Sequence, residues 1–128
     1  MLHRIVLPLA LILLVAGSVW ADWVRVDSNE DSYVYIDPTS IRKNGDKSYV
    51  WIINDLKKRN DLGYLSARVK QEYDCKNELA RNVYIRTFAD SMAKGKVLGE
   101  YTYPNEGSWG FVPPQTMAST VLKIVCAK

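Results

Sequence analysis

Period-two alternation of apolar and polar residues runs through most of this chain and yields to a helical period only at its end. Trp23–Asp27 alternates, as does Tyr33–Asp37, where Val34 and Ile36 share one face and Tyr33 and Tyr35 the other. Ser48–Asn54 is apolar on both faces and reads as a central strand covered on both sides. The clearest alternation runs from Tyr64 to Cys75. Leu65, Ala67, Val69, Tyr73 and Cys75 point one way, with Gln71 the exception; Tyr64, Ser66, Arg68, Lys70, Glu72 and Asp74 point the other. Leu79–Ala89 and Val97–Tyr103 give a fifth and a sixth strand. Turn residues separate them: Ser28–Ser32, the Lys43–Asp46 stretch around Gly45, Cys75–Glu78 and Asp90–Lys96. Asp37-Pro38 ends the second strand, because proline cannot donate to a ladder, and Thr39–Arg42 is read as one helical turn. Consecutive strands joined by short turns predict an antiparallel meander.

From Gln115 to Cys126 the period changes. Met117, Ala118, Val121, Leu122, Ile124, Val125 and Cys126 cover about 200° of a helical wheel, and Pro113-Pro114 suits a helix's first turn. A face that wide must lie on something, and the remainder of the chain is strands. The predicted fold class is α+β: a six-stranded antiparallel β-sheet with one C-terminal α-helix packed on one face. Cys75 sits on the apolar face of its strand, the face this helix would cover. Cys75–Cys126 is therefore expected as a disulfide that staples helix to sheet, worth about 4 kcal/mol in the chain-entropy account.

The first residues change the setting. Met1–Arg4 is positive, Ile5–Gly17 is almost wholly apolar, and Val19-Trp20-Ala21 offers a peptidase site, so Met1–Ala21 is expected to be a cleaved signal peptide. The apolar run is short for a membrane span, which needs ~20 residues, and no cysteine follows it to carry a lipid. Export agrees with a paired disulfide. The domain expected is Asp22–Lys128, a single unit. The chain's formal net charge is +3, which falls by one with Arg4, and this is not the footprint of a nucleic-acid binder. Its single histidine is His3, inside the signal segment, so the mature chain offers no imidazole for base catalysis, zinc or haem iron. No metal and no cofactor are expected.

With the strands placed, the chain resembles the surface-adhesin protein E family of Gram-negative bacteria. The resemblance spans Trp23 to Cys126. It is carried by Tyr35-Ile36-Asp37 with Ser40-Ile41, by Val50-Trp51, by Ser66 leading to Glu72-Tyr73-Asp74-Cys75, by Arg81, by Trp109 before Pro113-Pro114, and by Lys123–Cys126. It implies a six-stranded antiparallel sheet with a disulfide-tethered C-terminal helix, the arrangement read above from periodicity. It also implies binding to host extracellular-matrix and serum glycoproteins, with haem among the ligands reported in the family; here the iron would take a tyrosine or methionine ligand, or none.

Residues that could carry contact are few. Trp109 and Phe111, in a loop rich in turn residues, are candidate aromatic anchors, with folding back over the sheet edge as the structural alternative. Tyr33 and Tyr35 are candidates for an exposed aromatic face, suited to a partner or a second copy. Lys57, Lys58 and Arg59 are candidates for anionic glycans or lipid head groups, or else a solvated loop. Arg68, Lys70 and Glu72 should pair across strands. Asp37, Asp74 and Glu78 sit at turn positions, which argues against a catalytic carboxylate pair. The expected function is an exported, non-catalytic binding domain meeting protein or glycan partners through its sheet face and loops, in the periplasm or at the cell surface. The alternative is a periplasmic inhibitor or accessory subunit of a partner enzyme.

Overall fold

The structure is a computed structural model that describes residues 22–104 and 108–127. The expected signal peptide lies outside the described residues. The strands are β1 (Val24–Ser28), β2 (Ser32–Ile36), β3 (Arg42–Asn44), β4 (Lys47–Leu56), β5 (Ser66–Asp74), β6 (Leu79–Asp90), β7 (Lys94–Thr102) and β8 (Gly110–Phe111), and the helix is α1 (Met117–Cys126). Six of the strands run side by side in the order β1-β2-β4-β5-β6-β7, all antiparallel. This is the meander predicted from alternation, with two short additions. β3 folds onto β4 as a hairpin, turned by Gly45 at φ +63°, a backbone setting that favours glycine. β8 lies along β6, with Leu79 opposite Phe111.

The helical turn expected at Thr39–Arg42 lies slightly earlier, as a 3₁₀ turn over Pro38–Ser40. Asp37 caps it: its Oδ1 accepts from the Thr39 N–H at 3.0 Å and from the Thr39 hydroxyl at 2.6 Å. α1 starts later than periodicity suggested. Gln115 takes a left-handed φ of +62°, which interrupts the helix, and Thr116 serves as its cap, its Oγ1 accepting from Ser119 N–H at 3.1 Å. Pro113 and Pro114 therefore precede the helix rather than start it.

One apolar layer joins helix and sheet. Val121 and Val125 of α1 are buried with Val34 and Ile36 of β2, Val50 and Ile52 of β4, and Ala67, Val69 and Tyr73 of β5. Each valine or isoleucine among them contributes roughly 1.5–3 kcal/mol when removed from water. Cys75 and Cys126 are bonded, with Cα atoms 5.6 Å apart across 51 positions of sequence. A polar tether holds the other side of the helix: Thr120 Oγ1 donates to Asp27 Oδ2 at 2.8 Å. Among the described residues no helix is long and apolar enough to cross a membrane.

Several buried polar residues belong to one distant turn. Met92 and Ala93, between β6 and β7, both have positive φ, a strained setting for residues with a side chain. Asp55 Oδ1 accepts from Met92 N–H at 2.9 Å, while Ser66 Oγ accepts from Ala93 N–H at 2.9 Å and donates to the Asp90 carbonyl at 2.5 Å. Three strands thus hold the turn, which explains why Asp55 and Ser66 are buried on the face opposite the helix.

Candidate interaction face of the sheet

The sheet face away from α1 is built by the alternate residues of β4, β5 and β6. Trp51, Lys70 and Tyr84 are direct neighbours in register, so their side chains stand in one row. The Trp51 and Tyr84 rings reach over β5 and meet edge to face, centroids 5.6 Å apart at 70°. Such a pair adds about 0.5–1.5 kcal/mol beyond the area it covers. Cations flank these rings. The Arg68 guanidinium lies 5.6 Å from Trp51 and 5.8 Å from Phe88, and the Lys70 ammonium lies 5.2 Å from Tyr49. Among the described residues the buried Nε atoms of Arg68 and Arg86 have no hydrogen-bond partner. Ile53, between Tyr35 and Arg68 in register, is fully buried beneath this layer. The central strand is covered on both sides as expected: by α1 on one, and on the other by long side chains alone.

Among the described residues two ion pairs anchor the layer. Glu72 is only 2% exposed, and its Oε1 accepts from Arg81 Nε at 2.6 Å. The Arg81 guanidinium in turn lies 4.2 Å from the centre of Trp109, with Lys47 at 5.9 Å on that ring. Tyr49 hydrogen-bonds Glu72, and that bond, with burial and the carboxylate's charge, raises the phenol's pKa above its ordinary value. The second pair is Arg86 with Glu100 at 3.1 Å. Glu100 also accepts from the Tyr84 hydroxyl at 2.7 Å, and Tyr84 and Arg86 together hold its carboxyl below the usual range.

The residues expected to make contacts are not gathered in one place. Tyr33 and Tyr35 lie half-buried on the open-face side of β2, and Tyr33 has Arg25 at 5.0 Å and Lys57 at 4.9 Å over its ring. The Lys57–Arg59 run disperses. Lys57 goes to Tyr33, Lys58 stays exposed, and Arg59 donates to the Gly63 carbonyl at 2.9 Å and the Ala89 carbonyl at 2.6 Å, which pins its loop to the end of β6. Trp109 folds back and is half-buried against Arg81, whereas Phe111 of β8 is 65% exposed. Asp74 is a turn builder: Asn77, through side chain and backbone, and Lys76 N–H bond its carboxylate, which lowers its pKa. Among the described residues no group of three or more His, Cys, Asp or Glu side chains could hold a metal ion.

Sequence reading singled out Arg68, Lys70 and Glu72 on this face but not Tyr49, Trp51, Tyr84, Arg86 or Glu100 beside them. The signal was present. Tyr49/Trp51 and Tyr84/Arg86 are spaced two apart on their strands, like Arg68/Lys70, and only register brings the three pairs together. Beside this row lies a cleft of about 250 Å³ bordered by Ser40, Arg42, Tyr49, Val50, Trp51 and Lys70.

A family model described as surface-adhesin protein E matches residues 23–127. The chain belongs to the surface-adhesin protein E family. Its fold is similar to that of Haemophilus influenzae protein E. One crystal form has TM-score 0.61 at 18% identity, covering 85% of this chain and 90% of that one. The selenomethionine form has TM-score 0.62 at 17% identity, covering 85% and 88%. Protein E from non-typeable Haemophilus influenzae has TM-score 0.60 at 17% identity, covering 87% and 79%. No curated relative matches the sequence.

Several residues that carry the likeness to the adhesin E family meet one another in space. Trp51 N–H donates to Ser40 Oγ at 3.0 Å, Ser40 Oγ donates to the Asp37 carbonyl at 2.6 Å, and Asp37 N–H donates to the Trp51 carbonyl at 3.1 Å. Glu72, Arg81 and Trp109 form one stack, and Cys75 and Cys126 form the bridge. These residues frame the adhesin E fold, and the cations between them are a separate layer.

Proposed function

We propose that this protein is an exported, non-catalytic binding module of a Gram-negative bacterium, meeting a protein or glycan partner through the open sheet face. Met1–Ala21 directs export, and the mature domain works in the periplasm or at the cell surface. Adhesin E family membership supports a surface-binding role, with extracellular-matrix or serum glycoproteins as partners. The observation that carries the reading is the open face itself. Among the described residues it presents Arg68 and Lys70 over aromatic rings with no carboxylate in salt-bridge range, which leaves attraction for something outside the chain. Of the carboxylates weighed for catalysis, Asp37 caps a turn, Asp74 closes another, and Glu78 stands exposed in the turn between β5 and β6.

Surface plasmon resonance of the purified protein against a panel of matrix and serum glycoproteins tests this. At least one should bind, and the Arg42→Glu/Lys70→Glu variant should lose that binding while Lys123→Glu, on the exposed side of α1, keeps it. Binding that survives the double reversal, or no binding at all, would overturn the reading. Protease accessibility on intact cells separates surface from periplasm.

A further inference from the structure

We infer that the cleft beside Trp51 is a subsite for an acidic sugar, a pyranose ring bearing a carboxylate or a sulfate. This rests on the binding reading above and names the ligand's chemistry. At about 250 Å³ the cleft is smaller than the ~300–1,000 Å³ typical of drug-sized pockets and suits a single ring. Its walls are of two kinds. Tyr49 and Trp51 supply aromatic surface, whose electron-rich faces accept the C–H groups of a sugar ring. Arg42 and Lys70 supply positive charge, and among the described residues no carboxylate borders the cleft. Arg42 Nη1 is fixed by the Thr39 carbonyl at 2.8 Å and the Ile41 carbonyl at 2.9 Å, which holds the guanidinium at the rim without neutralising it.

The site is rigid before any ligand arrives. Trp51 is set edge to face against Tyr84, its backbone N–H is held by Ser40, and Lys70 rests over Tyr49. A preformed subsite loses little conformational freedom on binding. Peptide strands are a poorer fit. β4 and β5 are interior strands with their ladders paired on both sides, so no free backbone edge is offered and recognition falls to side chains.

The test is calorimetric titration of the full protein at low salt with four probes. They are a sulfated heparin-derived tetrasaccharide, a tetragalacturonate carrying only carboxylates, neutral maltotetraose, and a tetraglutamate peptide. One or both acidic tetrasaccharides should bind, the Trp51 indole resonance should shift, and Lys70→Glu and Arg42→Glu should each weaken binding roughly tenfold or more. Which acidic probe binds identifies sulfate or carboxylate as the anion. Trp51→Phe, which keeps an aromatic ring against Tyr84, should bind more weakly while the melting temperature falls by only a few degrees. Failure of both acidic probes overturns the proposal, as does equal binding of maltotetraose or tetraglutamate, or wild-type affinity in Lys70→Glu. Where the glycoprotein panel still binds in a Lys70-dependent way, only the sugar assignment falls; where neither binds, both do.

Discussion

The two faces of one sheet follow different rules. Against α1 the side chains are apolar, fully buried and held by a covalent bond. On the other face Trp51, Tyr84, Arg68, Lys70 and Arg86 cover the strands with their own length, and beneath them Ile53, Ser66 and Glu72 are as buried as the core. Helix-side contacts are satisfied within the chain. The open side leaves cationic charge and aromatic surface facing outward. Stability and recognition are thereby divided between faces that share every central strand, and a substitution should disturb one or the other according to the parity of its position.

The largest effect expected is on the helix side. Cys126→Ser should cost on the order of 4 kcal/mol, because the bridge closes 51 positions of chain. For a domain of this size that lowers the melting temperature by roughly 15–30 °C. An unchanged melt would remove the staple from the account. Next is Arg81→Ala on the open side, which strands the 2% exposed Glu72 carboxylate. Breaking a buried pair costs ~3–5 kcal/mol, and with Arg81 20% exposed, water reaching the site sets the loss near the lower end, about 3 kcal/mol by urea titration. A loss far smaller would mean that this pair behaves as a surface pair and that the open face has no buried frame.

Ser66→Ala is expected to cost about 2 kcal/mol, since it removes the acceptor for Ala93 and the donor to Asp90 in a buried turn. Urea titration measures the loss, and hydrogen–deuterium exchange should show the turn's amides exchanging faster with solvent. Smaller still is the response to pH. Asp74 and Glu100 have lowered pKa values, so what they contribute is complete above the ordinary carboxylate pKa of ~4 and is lost as pH falls through their lower folded values. Burial raises Tyr73 well above the usual phenol value, so its contribution holds below pH ~10 and is lost as pH rises beyond that. Melts from pH 2 to 11 should therefore show a broad plateau with losses at both ends. A melting temperature that climbs on acidification would contradict the assignment of the carboxylates.

The helix side was nearly all legible in the sequence. Alternation from Leu65 to Cys75 placed the bridging cysteine on the right face, and the wheel centred on Val121 and Val125 gave the helix its buried side. The open side was legible residue by residue but not as a site. Nothing local says that Glu72 would be sealed by Arg81 and Trp109, because β8 and its loop return to β6 from more than twenty positions away. Ser66 and Asp55 were equally opaque: their burial is imposed by a left-handed turn of another hairpin. The Lys57–Arg59 run could be read from the sequence either as a site for anions or as a solvated loop. Adjacent in sequence, the three cations diverge in space, and Arg59 serves its own loop.

The division of labour between the faces is tested most directly by one double variant, Arg42→Glu/Lys70→Glu, on which melting temperature and glycoprotein binding are both measured. Exposed and half-buried surface changes of this kind alter stability by about 0.5 kcal/mol or less each. The melting temperature should stay within a few degrees of wild type while partner binding disappears. Binding retained at wild-type strength in a protein that melts normally would show that recognition does not reside on the open face.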